Sequence, residues 1–130
     1  MLIYEELTGK ILKAYYNVLN GLGKGLAEKL YENALCIELE LMGIPYERQK
    51  PLEVYYKGHL VGDYVADILV DGKVILELKA VSAILPEHVA QTLNYINITH
   101  SKIGYILNFC QHEGRGFRRL LGIAAHSGEE

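Results

Sequence analysis

Two neighbouring segments, residues 64–70 and 74–81, are largely apolar at both odd and even positions, and the dipeptide Asp71-Gly72 lies between them. A strand directs alternate side chains to opposite faces of a sheet, so a segment that is apolar on both faces must be covered on both sides. Asp-Gly is a favoured hairpin turn. The chain is therefore predicted to contain a β-hairpin buried between two layers.

Apolar residues recur with helical spacing on either side of this hairpin. The helical segments are residues 8–22, with Thr8 as N-cap, 26–42 and 86–97. The second helix is expected to bury a stripe formed by Leu26, Leu30, Ala34, Ile37 and Leu41.

Strand-type composition fills the remaining segments. These are residues 51–70, divided into two strands at Lys57-Gly58, then 74–81, 102–109 and a last strand or turn at 117–123. The order α-α-β-β-β-α-β predicts an α/β sandwich in which helices flank a mixed central sheet.

The chain of 130 residues suits one domain, expected to span residues 1–125 and to be followed by a flexible tail at 126–130. We expect a cytoplasmic protein without membrane association, since a signal peptide and a membrane-spanning apolar run are both lacking. Cys36 and Cys110 are isolated, which argues against zinc and iron–sulfur sites. A net charge of −3 opposes coating of nucleic acid by charge alone, although metal-binding acids would themselves inflate the negative count.

The buried hairpin also contains charged residues, namely Asp67, Glu77 and Lys79. We expect a three-residue loop that pairs Leu69 with Lys73, which places odd positions on one face and Asp67 diagonal to Glu77. Unpaired buried charge is unfavourable by several kcal/mol per ion. Two interpretations remain open: Lys79 bridges both acids as a structural ion pair, or the acids hold a hard divalent cation with Lys79 alongside.

Three motifs in this order resemble the PD-(D/E)XK nuclease superfamily, and more closely the small GxxExxY proteins placed within it. The first is Gly25-Leu-Ala-Glu28-Lys-Leu-Tyr31, continued by Ala34-Leu35. The second runs from Gly62-Asp63-Tyr64 to Asp67 and resumes at Glu77-Leu78-Lys79. The third, Gln91-Thr-Leu-Asn-Tyr95, is similar to the Q-x-x-x-Y helix motif of RecB-type nucleases. The chain departs from the superfamily name at Ala66, where a proline would precede the acid.

The resemblance implies a restriction-endonuclease-like sandwich with a catalytic metal site. Asp67, Glu77 and the backbone carbonyl of Leu78 would ligate Mg²⁺ or Mn²⁺, and Lys79 would act on the attacking water. Glu28 would reach the ion or Lys79, directly or through a water. Asp63 is an alternative to Asp67 as the ligand.

Further residues of the motifs have competing interpretations. Gln91 and Tyr95 would touch a phosphate or the water shell of the metal, or would be a surface glutamine and a half-buried tyrosine. Tyr31 would support the site, or would be a core residue with a bonded hydroxyl. The alternative for Glu28 is an ion pair with Lys24, one turn before it.

The function expected from the resemblance is that of a metal-dependent nuclease (a hydrolase of phosphodiesters) acting on DNA. The alternative is a non-catalytic module that binds nucleic acid or protein and retains the nuclease fold. Oligomeric state is open, although cleavage of a duplex by so small a domain usually requires a homodimer.

Overall fold

The structure is a computed structural model that describes residues 2–126; residues 127–130 of the expected flexible tail lie outside the described residues. The helices are α1 (Glu5–Leu22), α2 (Glu28–Leu41) and α3 (Pro86–Ile98). The strands are β1 (Tyr46–Tyr56), β2 (His59–Val70), β3 (Val74–Lys79), β4 (Ile103–Asn108) and β5 (Phe117–Leu121), and a short 3-10 helix follows at Ile123–His126. The predicted element order is confirmed, and the segment after β4 adds a strand.

The five strands form one mixed sheet in the order β1-β2-β3-β4-β5. Neighbours are antiparallel except β3 and β4, which are parallel because α3 connects them as a crossover. The sheet therefore consists of one βαβ unit to which the other strands are added by antiparallel pairing. This architecture confirms the predicted α/β sandwich of restriction-endonuclease-like type.

Helices cover both faces of the sheet. The larger core lies between the sheet and the pair α1 and α2, and its biggest fully buried side chains include Tyr15, Tyr31, Tyr105 and Phe109. The smaller core lies under α3 and contains Leu52, Ala66, Leu69, Ile75, Tyr95 and Ile96. Among the described residues, no helix has both the length and the apolar character needed to cross a membrane.

The expected N-cap of α1 is wrong, because the helix begins one turn earlier, at Glu5. Thr8 lies inside the helix, where it is buried and its hydroxyl donates to the Glu5 carbonyl over 3.3 Å. Glu5 and Glu6 occupy the first turn instead. Acidic side chains there interact favourably with the positive end of the helix dipole, which accounts for the earlier start.

The predicted buried stripe of α2 is also wrong. Leu30, Ile37 and Leu41 are 50%, 56% and 78% exposed, while Leu35 and Leu39 are fully buried. The helix carries two interleaved apolar stripes, and the buried one contains the bulky Tyr31 ring and packs beneath the sheet. Spacing alone does not distinguish between two stripes of equal period.

The hairpin register differs from the expected one by two positions. A three-residue connection is present, with Asp71 and Gly72 at φ of 51° and 64°, but Val70 pairs with Val74 and Leu69 with Ile75. Odd positions still face odd positions across the strands. The corrected register brings Asp67 opposite Glu77 rather than diagonal to it.

The alternation of faces along β1 and β2 changes at Gln49 and Asp67. Ile68 and Val70 face the α1–α2 core, whereas Ala66 belongs to the cluster under α3. Regular alternation along residues 64–70 would point Ala66 and Ile68 the same way, and this expectation is therefore wrong. Gln49 has φ of 50°, between the paired positions Arg48–Ile68 and Lys50–Ala66. This left-handed residue rotates the ribbon, so residues 50–66 form an arm that turns its other face towards α3.

The two stripes of α2 give a direct stability test. Leu35→Ala should lower the free energy of unfolding by about 2–5 kcal/mol, because it removes fully buried methyl groups. Ile37→Ala on the exposed stripe should change it by less than about 1 kcal/mol. Urea unfolding of both variants beside the wild type measures the difference. Equal losses would contradict the observed orientation of the helix.

Candidate metal centre

The site lies where β2 and β3 stop pairing. Backbone pairing between the two strands ends at Ile68–Leu76, and beyond this pair side-chain hydrogen bonds join the strands instead. The backbone N–H of Asp67 donates to Oε2 of Glu77 over 2.8 Å, and the N–H of Leu78 donates to Oδ2 of Asp67 over 2.8 Å. Buried backbone N–H groups need acceptors, and here the two carboxylates supply them. Asp67 and Glu77 thus hold the diverging strands at a fixed separation.

Burial dominates the electrostatics of this acid pair. Glu77 is 5% exposed, and burial, followed by the repulsion of Asp67, raises its pKa to about 8. Burial also raises the pKa of Asp67, against the lowering effect of its hydrogen bond from Leu78. Desolvation disfavours the ionised forms, and two adjacent carboxylates disfavour each other further. The pair therefore favours binding of a proton or a cation.

Lys79 follows Glu77 on the same face of β3 and is half-buried. Its charge acts to lower the pKa of Asp67, Glu77 and Glu28. Among residues 2–126, however, Lys79 forms no salt bridge. The ion-pair interpretation required Lys79 to bridge both acids, and the geometry does not show that bridge.

Glu28 is the first residue of α2 and is exposed. Burial of part of its carboxyl, then the charge of Asp67, raises its pKa, so it lies within electrostatic reach of the pair. The alternative partner Lys24 instead donates to the Gln111 carbonyl. Within the described chain, no three His, Cys, Asp or Glu side chains cluster closely enough to hold a metal by themselves. Glu28 thus lies near the acid pair without forming a three-carboxylate cluster with it.

The donors fit a hard cation that keeps several waters. Asp67 and Glu77 each use one oxygen for a backbone N–H, and Oε1 of Glu77 accepts no hydrogen bond within residues 2–126. Because every fully buried polar side-chain atom in that range has a partner, Oε1 is not fully enclosed by protein. Two carboxylates with waters is the usual coordination of Mg²⁺ in proteins.

The Q-x-x-x-Y motif approaches the acid pair from α3. Nε2 of Gln91 donates to the hydroxyl of Tyr95 over 2.8 Å. The Tyr95 ring is buried and lies 5.7 Å from the Tyr64 ring, measured between centroids. Burial raises the pKa of Tyr95, and the charges of Glu77 and Asp67 add to this effect. Tyr95 is therefore a neighbour of the acids on the α3 side.

Tyr31 does not reach the acid pair. It is fully buried, stacks on Phe109 at 4.6 Å, donates its hydroxyl to the Gly23 carbonyl over 2.6 Å and accepts from the N–H of Leu26 over 3.1 Å. The structure thus places Tyr31 as the core residue that fixes the loop before α2. Through that loop it sets the start of α2, where Glu28 lies.

Asp63 also lies away from Glu77. It is exposed on β2 and pairs with Glu53 of β1, in the part of the arm beyond the point where β2 leaves β3. The geometry therefore joins Asp67, and not Asp63, to Glu77.

A polar cluster built on Glu32 lies beside the acids and was not predicted from the sequence motifs. This buried carboxylate accepts from Nη2 of Arg48 at 2.7 Å, Nζ of Lys29 at 3.0 Å and Nε2 of Gln49 at 2.9 Å. Burial acts to raise the pKa of Glu32, but the bonds from Arg48 and Lys29 prevail and lower it. A signal existed, since Glu32 lies one turn after Glu28 on the same helix. Gln49 is also a neighbour of Asp67, whose pKa its amide acts to lower.

The raised pKa of Glu77 predicts a pH-dependent stability without divalent metal. The folded protein holds a proton on Glu77 up to about pH 8, whereas an unfolded glutamate releases it near 4.5. Stability should therefore be highest below about pH 4.5 as far as this group is concerned, and should fall by several kcal/mol as pH rises to about 8. Urea unfolding in EDTA across this window measures the slope. Glu77→Gln should flatten it, and an unchanged slope in that variant would contradict the assignment.

Comparison with known proteins identifies the family of the chain. The family model described as the PD-(D/E)XK nuclease superfamily matches residues 5–120. None of the curated proteins and none of the solved structures compared with the chain matches it. The match includes all three helices in full, all five strands except the last residue of β5, and both acids of the strand junction. The chain belongs to the PD-(D/E)XK nuclease superfamily.

Proposed function

We propose that the protein is a divalent-metal-dependent nuclease that hydrolyses phosphodiester bonds, with DNA as its substrate. The observation that carries the proposal is the acid pair at the strand junction. Asp67 and Glu77 are fixed by backbone N–H donors, while Lys79 stays outside any salt bridge of the described residues. A purely structural charge cluster would instead pair its lysine with its acids.

Asp67, Glu77 and the Leu78 carbonyl would hold Mg²⁺ or Mn²⁺, and Glu28 would support it through a water. Such an ion, when bound, polarises the phosphate and lowers the pKa of a coordinated water. The three acids and Lys79 together carry a formal charge of −2, which a divalent ion balances.

Lys79 contributes to the chemistry through its ammonium group, Nζ. The group is free to hydrogen-bond the attacking water or a non-bridging phosphate oxygen, because no carboxylate of the described chain occupies it. A cation in a half-buried position stabilises the negative charge that develops on the phosphate oxygens. Tyr95 lies within electrostatic reach of Glu77 and Asp67, and Gln91 donates to its hydroxyl, so both would orient the phosphate or its waters.

A second candidate function is a binding module that retains the nuclease fold without turnover. The exposed stripe of α2 favours it, since Leu30, Ile37 and Leu41 are each at least half exposed. Large apolar side chains left exposed along one stripe of a helix indicate a candidate interaction site. A homodimer formed by the protein would be one use of such a surface.

Metal binding should appear as a pH-dependent rise in melting temperature. Millimolar Mn²⁺ or Mg²⁺ should stabilise the protein by mass action, and more strongly at pH 8 than at pH 6, because the ion must displace the proton held by Glu77. Asp67→Ala and Glu77→Ala should abolish the rise, whereas Asp63→Ala serves as the matched control and should keep it. Differential scanning fluorimetry measures all four proteins. A wild-type melting curve that ignores both ions would contradict the proposal.

The roles of Lys79 and Glu77 should separate in a cleavage assay. Lys79→Ala should retain metal-induced stabilisation but lose cleavage on the order of 10³-fold, because Lys79 acts on the transition state. Glu77→Ala should lose both. Single-stranded, nicked and duplex DNA and an RNA should be tested with Mn²⁺ and Mg²⁺ in turn. Clear metal binding without cleavage of any substrate would favour the binding module.

A further inference from the structure

The arm formed by residues 50–66 of β1 and β2 presents two chemically different faces. Beyond Asp67 it leaves β3 and continues as a two-stranded ribbon, in which Leu52 pairs with Tyr64 and Glu53 with Asp63. Leu52 and Ala66 pack under α3, so positions of this parity form the inner face of the arm, beside α3 and the acid pair. Glu53 and Asp63 lie on the outer face.

The inner face carries aromatic and basic side chains but no acid. Its positions before the register shift are Lys50, Leu52, Val54, Gly62, Tyr64 and Ala66. Beyond the shift, Tyr56 pairs with His59, and Lys57 at the turn lies over the Tyr56 ring at 5.4 Å from its centroid. Among residues 2–126, the only carboxylate within salt-bridge distance of Lys50 is that of Glu47, at 2.9 Å. The acids of the arm lie on its outer face, so they point away from the acid pair.

Tyr64 is held in place by Gly62 and by the Tyr95 ring. A Cβ at Gly62 would lie 2.8 Å from Cε2 of the Tyr64 ring, so the ring occupies the space that glycine leaves. The ring also contacts Tyr95, which borders Glu77. Tyr64 nevertheless stays 37% exposed, and Tyr56 further along the arm is 63% exposed. Large aromatic rings fixed by their neighbours and still open to solvent have a surface left to stack on.

We propose that the inner face of the arm, through Tyr64 and Tyr56, is a stacking platform for the bases of a single-stranded nucleic acid whose phosphate reaches the acid pair. The inference rests on the proposed nuclease function and specifies its substrate class. Unpaired bases stack on aromatic rings, whereas the bases of a duplex are already stacked on one another. The net charge of −3 also favours stacking over the tracking of duplex phosphates by many cations.

Oligonucleotide binding in EDTA tests the platform separately from the metal chemistry, since no metal-dependent cleavage is required. Fluorescence anisotropy with a fluorescein-labelled oligodeoxythymidine of about 20 nucleotides should show weaker binding by Tyr64→Ala, by roughly 5- to 150-fold, the range of one lost base stack. Tyr64→Phe should bind like the wild type. Tyr55→Ala is the matched control, because Tyr55 is 59% exposed on the outer face of the same arm, and it should bind normally.

Equal binding by Tyr64→Ala and Tyr55→Ala, with both melting temperatures preserved, would overturn the proposal. Tighter binding of a duplex than of the single strand would also overturn it. A wild-type dimer that Tyr64→Ala converts to a monomer, with oligonucleotide binding unaffected, would identify the face as a self-association surface instead. Cleavage results do not enter this comparison, so an inactive protein with Tyr64-dependent binding would contradict the nuclease proposal and support the platform.

Discussion

The reciprocal hydrogen bonds between Asp67 and β3 determine the geometry on which the rest of the site depends. Antiparallel strands that separate leave backbone N–H groups without partners. In this protein the carboxylates of Asp67 and Glu77 take those donors, so the strands can diverge inside the molecule without exposing their backbone. The same bonds fix two acidic side chains next to each other in a poorly solvated place. The same two residues thus satisfy the backbone N–H groups of the sheet and form a site that attracts a cation.

The break at Asp67 also produces the arm. On one side of it β2 pairs with both β1 and β3, and on the other side only β1 continues with it. The change of face at Gln49 and Asp67 turns Ala66 towards α3, while Ile68 stays in the α1–α2 core. As a result, the acid pair lies at the base of a ribbon whose inner face carries Tyr64. The candidate metal-binding pair and the proposed base-stacking surface therefore adjoin one another.

Local chemistry made much of this predictable from the sequence. Asp71-Gly72 and Lys57-Gly58 were predicted as turns, and all four residues have positive φ. The placement of Asp67 and Glu77 on the same face was also predicted, although the predicted register differed from the observed one by two positions. Long-range packing was not predictable: the buried stripe of α2 depends on which of two apolar stripes meets the sheet.

The same limit applies to the polar residues around the site. Tyr31 bonds to the loop at Gly23 and Leu26, and Gln49 bridges from β1 to Glu32 on α2. These contacts depend on the relative placement of helices and strands, which periodicity does not encode.

The most direct test of the account is a crystal structure of the protein grown or soaked with Mn²⁺ and recorded at a wavelength that gives an anomalous manganese signal. The account predicts one anomalous peak between Asp67 and Glu77, at about 2.1 Å from a carboxylate oxygen of each, with Lys79 beside it and unpaired. An empty acid pair with Lys79 Nζ bridging both carboxylates would contradict it and establish the structural ion pair.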